Sequence, residues 1–207
     1  SIILVHGGGV KASEMAQRLG VETTMVEGRR VTNEAMLEIA TMVYGGFINK
    51  KIVAQLEARS TKALGLTGAD LGLIRSVQRP PVPIDFGLVG DIVSVNTDEL
   101  CSLLARTIIP VIAPLTSNGQ GQLLNTNADS IAAHVASSLA GISNEAGEEN
   151  AEVAYEVYLD LCFDLEGVMV EGEVVKQLNS TRYKTIQEQG HITGGMIPKL
   201  DLGFMAL

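Results

Sequence analysis

Tryptophan is missing from this sequence, and the four tyrosines and four phenylalanines bring aromatic residues to only 4% of 207. Its interior must therefore be aliphatic and gain stability from close packing of Val, Ile, Leu, Met and Ala rather than from large rings. Cysteine is nearly missing too. Cys101 and Cys162 lie far apart in apolar surroundings, with no second cysteine or histidine at metal-ligand spacing. That argues against a disulfide framework or a thiolate metal site and fits reduced, buried thiols in a cytoplasmic protein. No apolar run approaches the length of a membrane-spanning helix. The opening Ser1-Ile2-Ile3-Leu4-Val5-His6 lacks the charged start of a signal peptide and reads as a strand already under way, so the chain is expected to begin inside a larger protein. Basic residues are in the minority, 15 against 24 acidic ones, for a net charge of −9. A general nucleic-acid or anionic-membrane surface does not follow from such a balance. An anionic ligand would need locally placed donors.

What is present is a globular composition, 46% hydrophobic with mean hydropathy +0.23, and enough chain for one large domain or two small ones. Its centre of interest is Asn125-Thr126-Asn127-Ala128-Asp129, between the apolar run from Ile108 to Leu115 and a helical pattern beginning at Ser130. Three short polar side chains at every second position suit an extended segment that points them to one side. The plainer reading is a helix cap at Asp129 with two turn-forming asparagines.

Earlier, Ile2 to Val5 runs into His6-Gly7-Gly8-Gly9 and a helix over 13–19, a strand–turn–helix entry whose backbone N–H groups can meet an anion without a Cβ in the way. No Gly-Lys-Ser/Thr follows, so it is not a Walker A loop, and the G-x-G-x-x-G fingerprint is absent. Two arginines, Arg29 and Arg30, interrupt the acidic background just before Thr32 or Asn33 caps a helix over 34–43. Gly45-Gly46 is expected to break that helix before a second one over 48–59. Strands are expected over 62–66, 71–77, 108–115 and 155–163, with 89–95 in a hairpin and helices over 97–104 and 180–189. Glu171-Gly172 reads as a hairpin turn. Strands alternating with helices define an α/β chain, expected as a three-layer αβα sandwich with a mainly parallel central sheet.

The order of the motifs is more specific than any one of them. His6-Gly7-Gly8-Gly9, Gly28-Arg29-Arg30-Val31-Thr32, Asn125-x-Asn127-Ala128-Asp129, Asp164-x-x-Gly167-Val168 and Gly194-Gly195-Met196-Ile197-Pro198-Lys199 follow one another as in the acetylglutamate kinases. The chain resembles this branch of the amino-acid kinases over nearly all of its length, least over the acidic stretch 143–152. The resemblance implies a cytoplasmic transferase of arginine biosynthesis that passes a phosphoryl group from ATP to the γ-carboxylate of an N-acylated glutamate. By position, Gly8 and Gly9 would donate N–H groups to the acceptor, Arg30 would grip its α-carboxylate, and Asn125 and Asn127 would touch the acylamino acid. Asp129 would organise the catalytic lysines, and Lys199 would stand at the transferring phosphoryl group. Asp164, Leu165, Glu166, Gly167, Val168 and Met169, with His191, Ile192 and Thr193, match the nucleotide pocket. Mg²⁺ would ride mainly on the ATP phosphates, with no dedicated protein metal site.

The one break in composition, 143–152 with Glu145, Glu148, Glu149 and Glu152 and almost nothing apolar, reads as an acidic linker or loop. With the resemblance it divides the chain into an acylglutamate-binding part over 1–142 and a nucleotide-binding part over 153–207, with one continuous sheet expected. The family's opening Lys-x-Gly-Gly strand and its final strands are not in the sequence. Phe163 stands where a small hydroxyl residue is usual. Cys162-Phe163 and Leu123-Leu124-Asn125-Thr126-Asn127 resemble a bacterial branch that uses N-succinylated intermediates, which keeps N-succinylglutamate as a second acceptor. The expected partners are the acceptor, ATP and further copies of the chain, as a homodimer or larger homo-oligomer. Two alternatives stand beside this reading: a family kinase acting on another carboxylate or on carbamate, and a non-catalytic amino-acid-binding regulatory module.

Overall fold

The computed structural model describes residues 1–26, 29–145, 156–162, 166–170, 173–192 and 196–206. Strand β1 (Leu4–Val5) passes through a glycine turn into helix α1 (Gly9–Arg18), and the ribbon β2 (Met25–Val26) and β3 (Arg29–Arg30) leads to a long helical rod. The rod starts at α2 (Glu34–Ala40), where Asn33 Oδ1 accepts the Met36 N–H at 2.9 Å as its cap. It does not break at Gly45-Gly46. Thr41–Ile48 winds as a π-helix, and α3 (Asn49–Glu57) continues it. Of the two glycines that lower helix propensity here, Gly45 packs closely, since a Cβ on it would meet Leu115 and Thr67 at 3.5 Å, whereas Gly46 faces open space. Burial of Met36, Ile39, Val43 and Tyr44 outweighs the local preference to stop.

β4 (Ala63–Leu66), β5 (Ile74–Gln78), β6 (Gly90–Val95) and α4 (Thr97–Ala105) follow, the last capped by Asn96. The expected strand over 108–115 is two strands, β7 (Ile109–Ile112) and β8 (Leu115–Ser117), which belong to different sheets. Pro114, with no N–H for a ladder, marks the crossing. β9 (Leu123–Asn125) then enters α5 (Ala128–Glu145).

Residues 156–162 alternate exposed and half-buried as a strand would. Among the described residues no strand pairs with them, so the expected strand is extended chain without a ladder. Cys162 on this stretch is exposed, which corrects the expectation of a buried thiol, whereas Cys101 is half-buried against the core. The ribbon β10 (Met169–Val170) and β11 (Glu173–Val174) is antiparallel as expected, with its Glu171-Gly172 turn outside the described residues. Helices α6 (Ser180–Glu188), capped by Asn179, and α7 (Met196–Met205) complete the chain.

Among the described residues the central sheet is parallel, in the order β1-β7-β4, and helices lie on both of its faces, giving the expected αβα layering. A mixed sheet, β6-β5-β8-β9, carries the hairpin, and two ribbons stand apart, so these strands form four sheets rather than one. The apolar interior follows the same division. Ala12, Ala16, Met36, Ile39, Val43 and Leu115 form one cluster, and Leu66, Leu73, Ile74, Leu100, Ile112 and Ile131 form another. Both are almost wholly aliphatic, as the shortage of aromatics requires. A third cluster around Tyr183, Ile186 and Ile192 stacks Tyr183 on Phe204 at 5.2 Å.

One glycine of the central sheet holds a buried side chain against the strands. A Cβ on Gly65 would fall 1.9 Å from Asn49 Oδ1, and Asn49 is 1% exposed and donates to the Val111 carbonyl at 2.8 Å. Gly65→Ala is therefore expected to lower stability by roughly 1–3 kcal/mol, read as a fall in the urea midpoint with an unchanged m-value. An unchanged midpoint would show that Asn49 is free to move aside.

Candidate active site

The strand ends and helix starts converge on a cleft of about 1420 Å³, lined by the glycine turn, Arg30, the Asn125–Asp129 segment, residues 156–162 and Lys199. The plainer reading of the central segment proves half right, because a cap is present but on another residue. Asn127 Oδ1 accepts the Ser130 N–H at 2.9 Å and caps α5. Asp129, inside the first turn, is thereby left to reach outward. Its two carboxylate oxygens accept from Lys199 Nζ at 2.9 and 2.7 Å, across 70 positions of sequence. Both side chains are about a quarter exposed, at 26% and 27%, so the pair is open to a ligand in the cleft.

The extended stretch ends at Asn125, so the three polar residues do not share one strand face. They still line one cleft. Asn125 Nδ2 donates to Thr32 Oγ1 at 2.9 Å, and Thr32 is fully buried. Between the asparagines, Thr126 turns inward and shares a hydrogen bond with Thr116 at 2.8 Å. Gly90 permits this approach, since a Cβ there would stand 2.8 Å from Thr126 Oγ1. Thr32, Thr116 and Thr126 therefore set the attitude of the segment. Nothing in their sequence neighbourhood distinguishes them from turn residues.

Arg30 is 8% exposed, and among the described residues its guanidinium is held by neutral groups. Nη2 donates to the Gly9 carbonyl at 3.0 Å and to Ser13 Oγ at 2.8 Å, and Nη1 lies 4.0 Å from the Met36 sulfur. Among the described residues no carboxylate pairs with it. A buried guanidinium with neutral neighbours keeps a desolvation cost that an entering anion would offset. Tyr44 stands beside it, its hydroxyl pushed to a higher pKa by burial, with the positive charge of Arg30 pulling the other way. At the far wall, Arg79 is fixed by Asp91 at 3.1 and 3.2 Å and lies over the Phe86 ring at 5.4 Å.

Gly8 and Gly9 stand in the cleft wall at the start of α1. A Cβ on Gly8 would lie 2.5 Å from Ile48 Cδ1, so only glycine lets the turn sit this close to the helical rod. The described residues of the expected nucleotide set stand apart from this cleft. Val168 and Ile192 pack in the third apolar cluster, Gly167 lies against Val174, and Met169 pairs in β10. Glu166 and His191 are exposed outside it. Asp164, Leu165 and Thr193 lie outside the described residues. A smaller, mainly apolar hollow of about 370 Å³, bounded by Leu159, Leu161, Leu200 and Phe204, adjoins the cleft at Lys199. Among the described residues, no three His, Cys, Asp or Glu converge as a metal cage, and no helix is long and apolar enough to cross a membrane.

A parallel αβα sandwich with a glycine-lined cleft at its strand ends defines the class. The chain belongs to the amino acid kinase family, whose model matches residues 1–141. Its relatives narrow the placement to the acetylglutamate kinases, as the order of five motifs implied. It is 46% identical to the acetylglutamate kinase of Parabacteroides distasonis, over 99% of this chain and 77% of that one. The acetylglutamate kinase of Methanopyrus kandleri is 36% identical, over 99% and 80%. In fold alone, the chain is similar to smu.665 from Streptococcus mutans at a TM-score of 0.82 and 23% identity, covering 99% of this chain and 76% of that one. The N-acetylglutamate synthase of Neisseria gonorrhoeae shares the fold at a TM-score of 0.70 and 20% identity, covering 99% and 45%.

Proposed function

We propose that the chain transfers the γ-phosphoryl group of ATP to the γ-carboxylate of N-acetyl-L-glutamate, giving an acyl phosphate, as a cytoplasmic enzyme of arginine biosynthesis. The observation that carries this reading is the Lys199 ammonium, held by both oxygens of Asp129 in the cleft that also takes Arg30 and the glycine turn. A carboxylate is a competent nucleophile at neutral pH, so the reaction needs no general base. The acceptor oxygen attacks the γ-phosphorus, the bond to the β,γ-bridging oxygen breaks, and ADP leaves without a proton transfer. The obstacle is charge, since one anion must approach another. Fixed N–H dipoles at Gly8 and Gly9 and the cations Arg30 and Lys199 answer that obstacle by position.

The division of labour follows the chain. The acyl acceptor lies on the 1–142 side, with its α-carboxylate at Arg30 and its acylamino group near Asn125 and Asn127. The nucleotide approaches Lys199 from the 153–207 side, beyond the acidic segment 143–152. Mg²⁺ would come with the phosphates of ATP and offset part of their charge; Asp129, already engaged by Lys199, would not be a free ligand for it. Self-association as a homodimer or larger ring uses the helical rod, where Met42 and Phe47 are each 55% exposed.

A coupled ADP-release assay tests the reading, with N-acetyl- and N-succinyl-L-glutamate compared as acceptors and light scattering reporting the oligomer. Acceptor-dependent ADP release is expected, and the acceptor with the higher kcat/KM names the acyl group. ATP binding without acceptor-dependent release would refute the kinase assignment, and a monomer would refute self-association.

A further inference from the structure

The glycine turn is held from behind by a chain of polar groups that the reaction itself does not use. Asn49, the first residue of α3, is 1% exposed and reaches three partners. Its Nδ2 lies 2.8 Å from the Val111 carbonyl, which can only accept, and its Oδ1 lies 3.2 Å from the Lys50 ammonium, which can only donate. Chemistry thus fixes the orientation of the amide. The second Nδ2 hydrogen faces His6 Nε2 at 3.2 Å, so Nε2 must accept. The proton of the neutral ring then sits on Nδ1, which faces the Gly7 carbonyl at 2.8 Å. This is the opposite tautomer to the one that prevails for histidine in water.

The winding of the rod brings these groups together. In a π-helix residue i stacks over i+5, which sets Asn49 beneath Tyr44 and beside Ile48. Tyr44 and Ile48 are the side chains that a Cβ on Gly8 would strike, at 2.7 and 2.5 Å. An α-helical path through the same residues would rotate Asn49 away from that face. The buried position also pushes the His6 pKa below its ordinary value, with the Gly7 hydrogen bond pulling the other way.

We infer that Asn49 and His6 are positioning residues for the acceptor site: Asn49 locks His6 as the neutral Nδ1–H tautomer, and His6 ties down the Gly7 carbonyl so that the turn presents the Gly8 and Gly9 N–H groups to the acceptor anion. The positioning role rests on the proposed kinase reading; the tautomer does not.

Two-bond ¹H–¹⁵N correlation spectra of the ¹⁵N-histidine-labelled protein at about pH 7.5 decide the tautomer without any variant, His6 being assigned by its loss in His6→Asn. A protonated Nδ1 and a bare Nε2 are expected, and a protonated Nε2 overturns the inference. In Asn49→Asp the carboxylate offers only acceptors, so His6 is expected to gain a proton on Nε2. An unchanged spectrum there means that Asn49 does not set the tautomer.

Kinetics test the positioning role. His6→Asn retains an N–H in the Nδ1 place and is expected to keep the acceptor KM within about threefold, whereas His6→Phe removes the donor and raises it about tenfold, with the ATP KM unchanged in both. Equal losses in the two variants, or parallel rises in both KM values, reduce His6 to a packing role. If the unaltered protein turns over no acylglutamate, the kinase reading fails while the spectra still decide the tautomer.

Discussion

Lys199→Ala is expected to lower kcat by about 10²–10³-fold while moving the acceptor KM by less than about threefold. The charge of Lys199 matters most when negative charge develops between acceptor and leaving group, so its loss falls on the transition state rather than on the ground-state complex. The geometry adds a second component. Asp129 holds Nζ through both oxygens at 2.9 and 2.7 Å, and removing the lysine leaves a bare carboxylate in a cleft that must receive anions. Asp129→Asn removes that charge and loosens the lysine, so its own kcat should fall, though less than that of Lys199→Ala. The double variant should then be no slower than Lys199→Ala alone, because the two residues act as one unit. Steady-state rates of the three variants check this. Turnover near normal in Lys199→Ala would remove Lys199 from the chemistry, and additive losses would mean that Asp129 acts elsewhere.

That pairing was legible in the sequence only through the order of the motifs. Nothing local to Asp129 points 70 residues ahead, and its neighbourhood reads equally well as a helix cap. The cap was legible as a feature but not as a residue. Asn125, Asn127 and Asp129 are all competent caps, and only the start of α5 at Ala128 selects Asn127. The reverse holds for the rod over 34–57. Local propensity reads Gly45-Gly46 as a break, and tertiary burial of Val43 and Tyr44 carries the helix across it in a wider winding. Residues 156–162 show the limit of periodicity. Their alternation is that of a strand, but a strand also needs a neighbour, and none of the described strands supplies one.

Buried polar residues were the least legible. Thr32, Asn49 and Thr126 carry no local signal of the contacts they make, because that role is set by what faces them: an asparagine amide, a histidine ring and a second threonine. The glycines opposite were the available clue. Gly65 and Gly90 sit within strands, where glycine weakens the ladder and often marks close approach by another group. In both places the approaching group is one of those polar side chains, at 1.9 Å from the notional Cβ of Gly65 and 2.8 Å from that of Gly90.

Arg30→Ala is expected to raise the acceptor KM about 30- to 100-fold while the ATP KM stays within about threefold, the size of one lost charge-assisted contact to a carboxylate. The expectation follows from what surrounds the guanidinium. Its nearest acceptors are the Gly9 carbonyl and Ser13 hydroxyl, both neutral, and it is 8% exposed. A charge so buried carries a desolvation cost that neutral acceptors offset only in part, and an entering carboxylate offsets more. Removing the charge should therefore weaken acceptor binding without a matching loss of fold stability. Thermal unfolding should show the variant's Tm close to that of the parent without ligand, and well below it with saturating acceptor. Arg30→Lys should recover less than tenfold of the lost affinity. A single ammonium cannot serve Gly9, Ser13 and an anion from one plane as the guanidinium fork does. Equal rises in both KM values would take Arg30 off the acceptor side, and full recovery by lysine would show that charge alone, not the fork, is what the site requires.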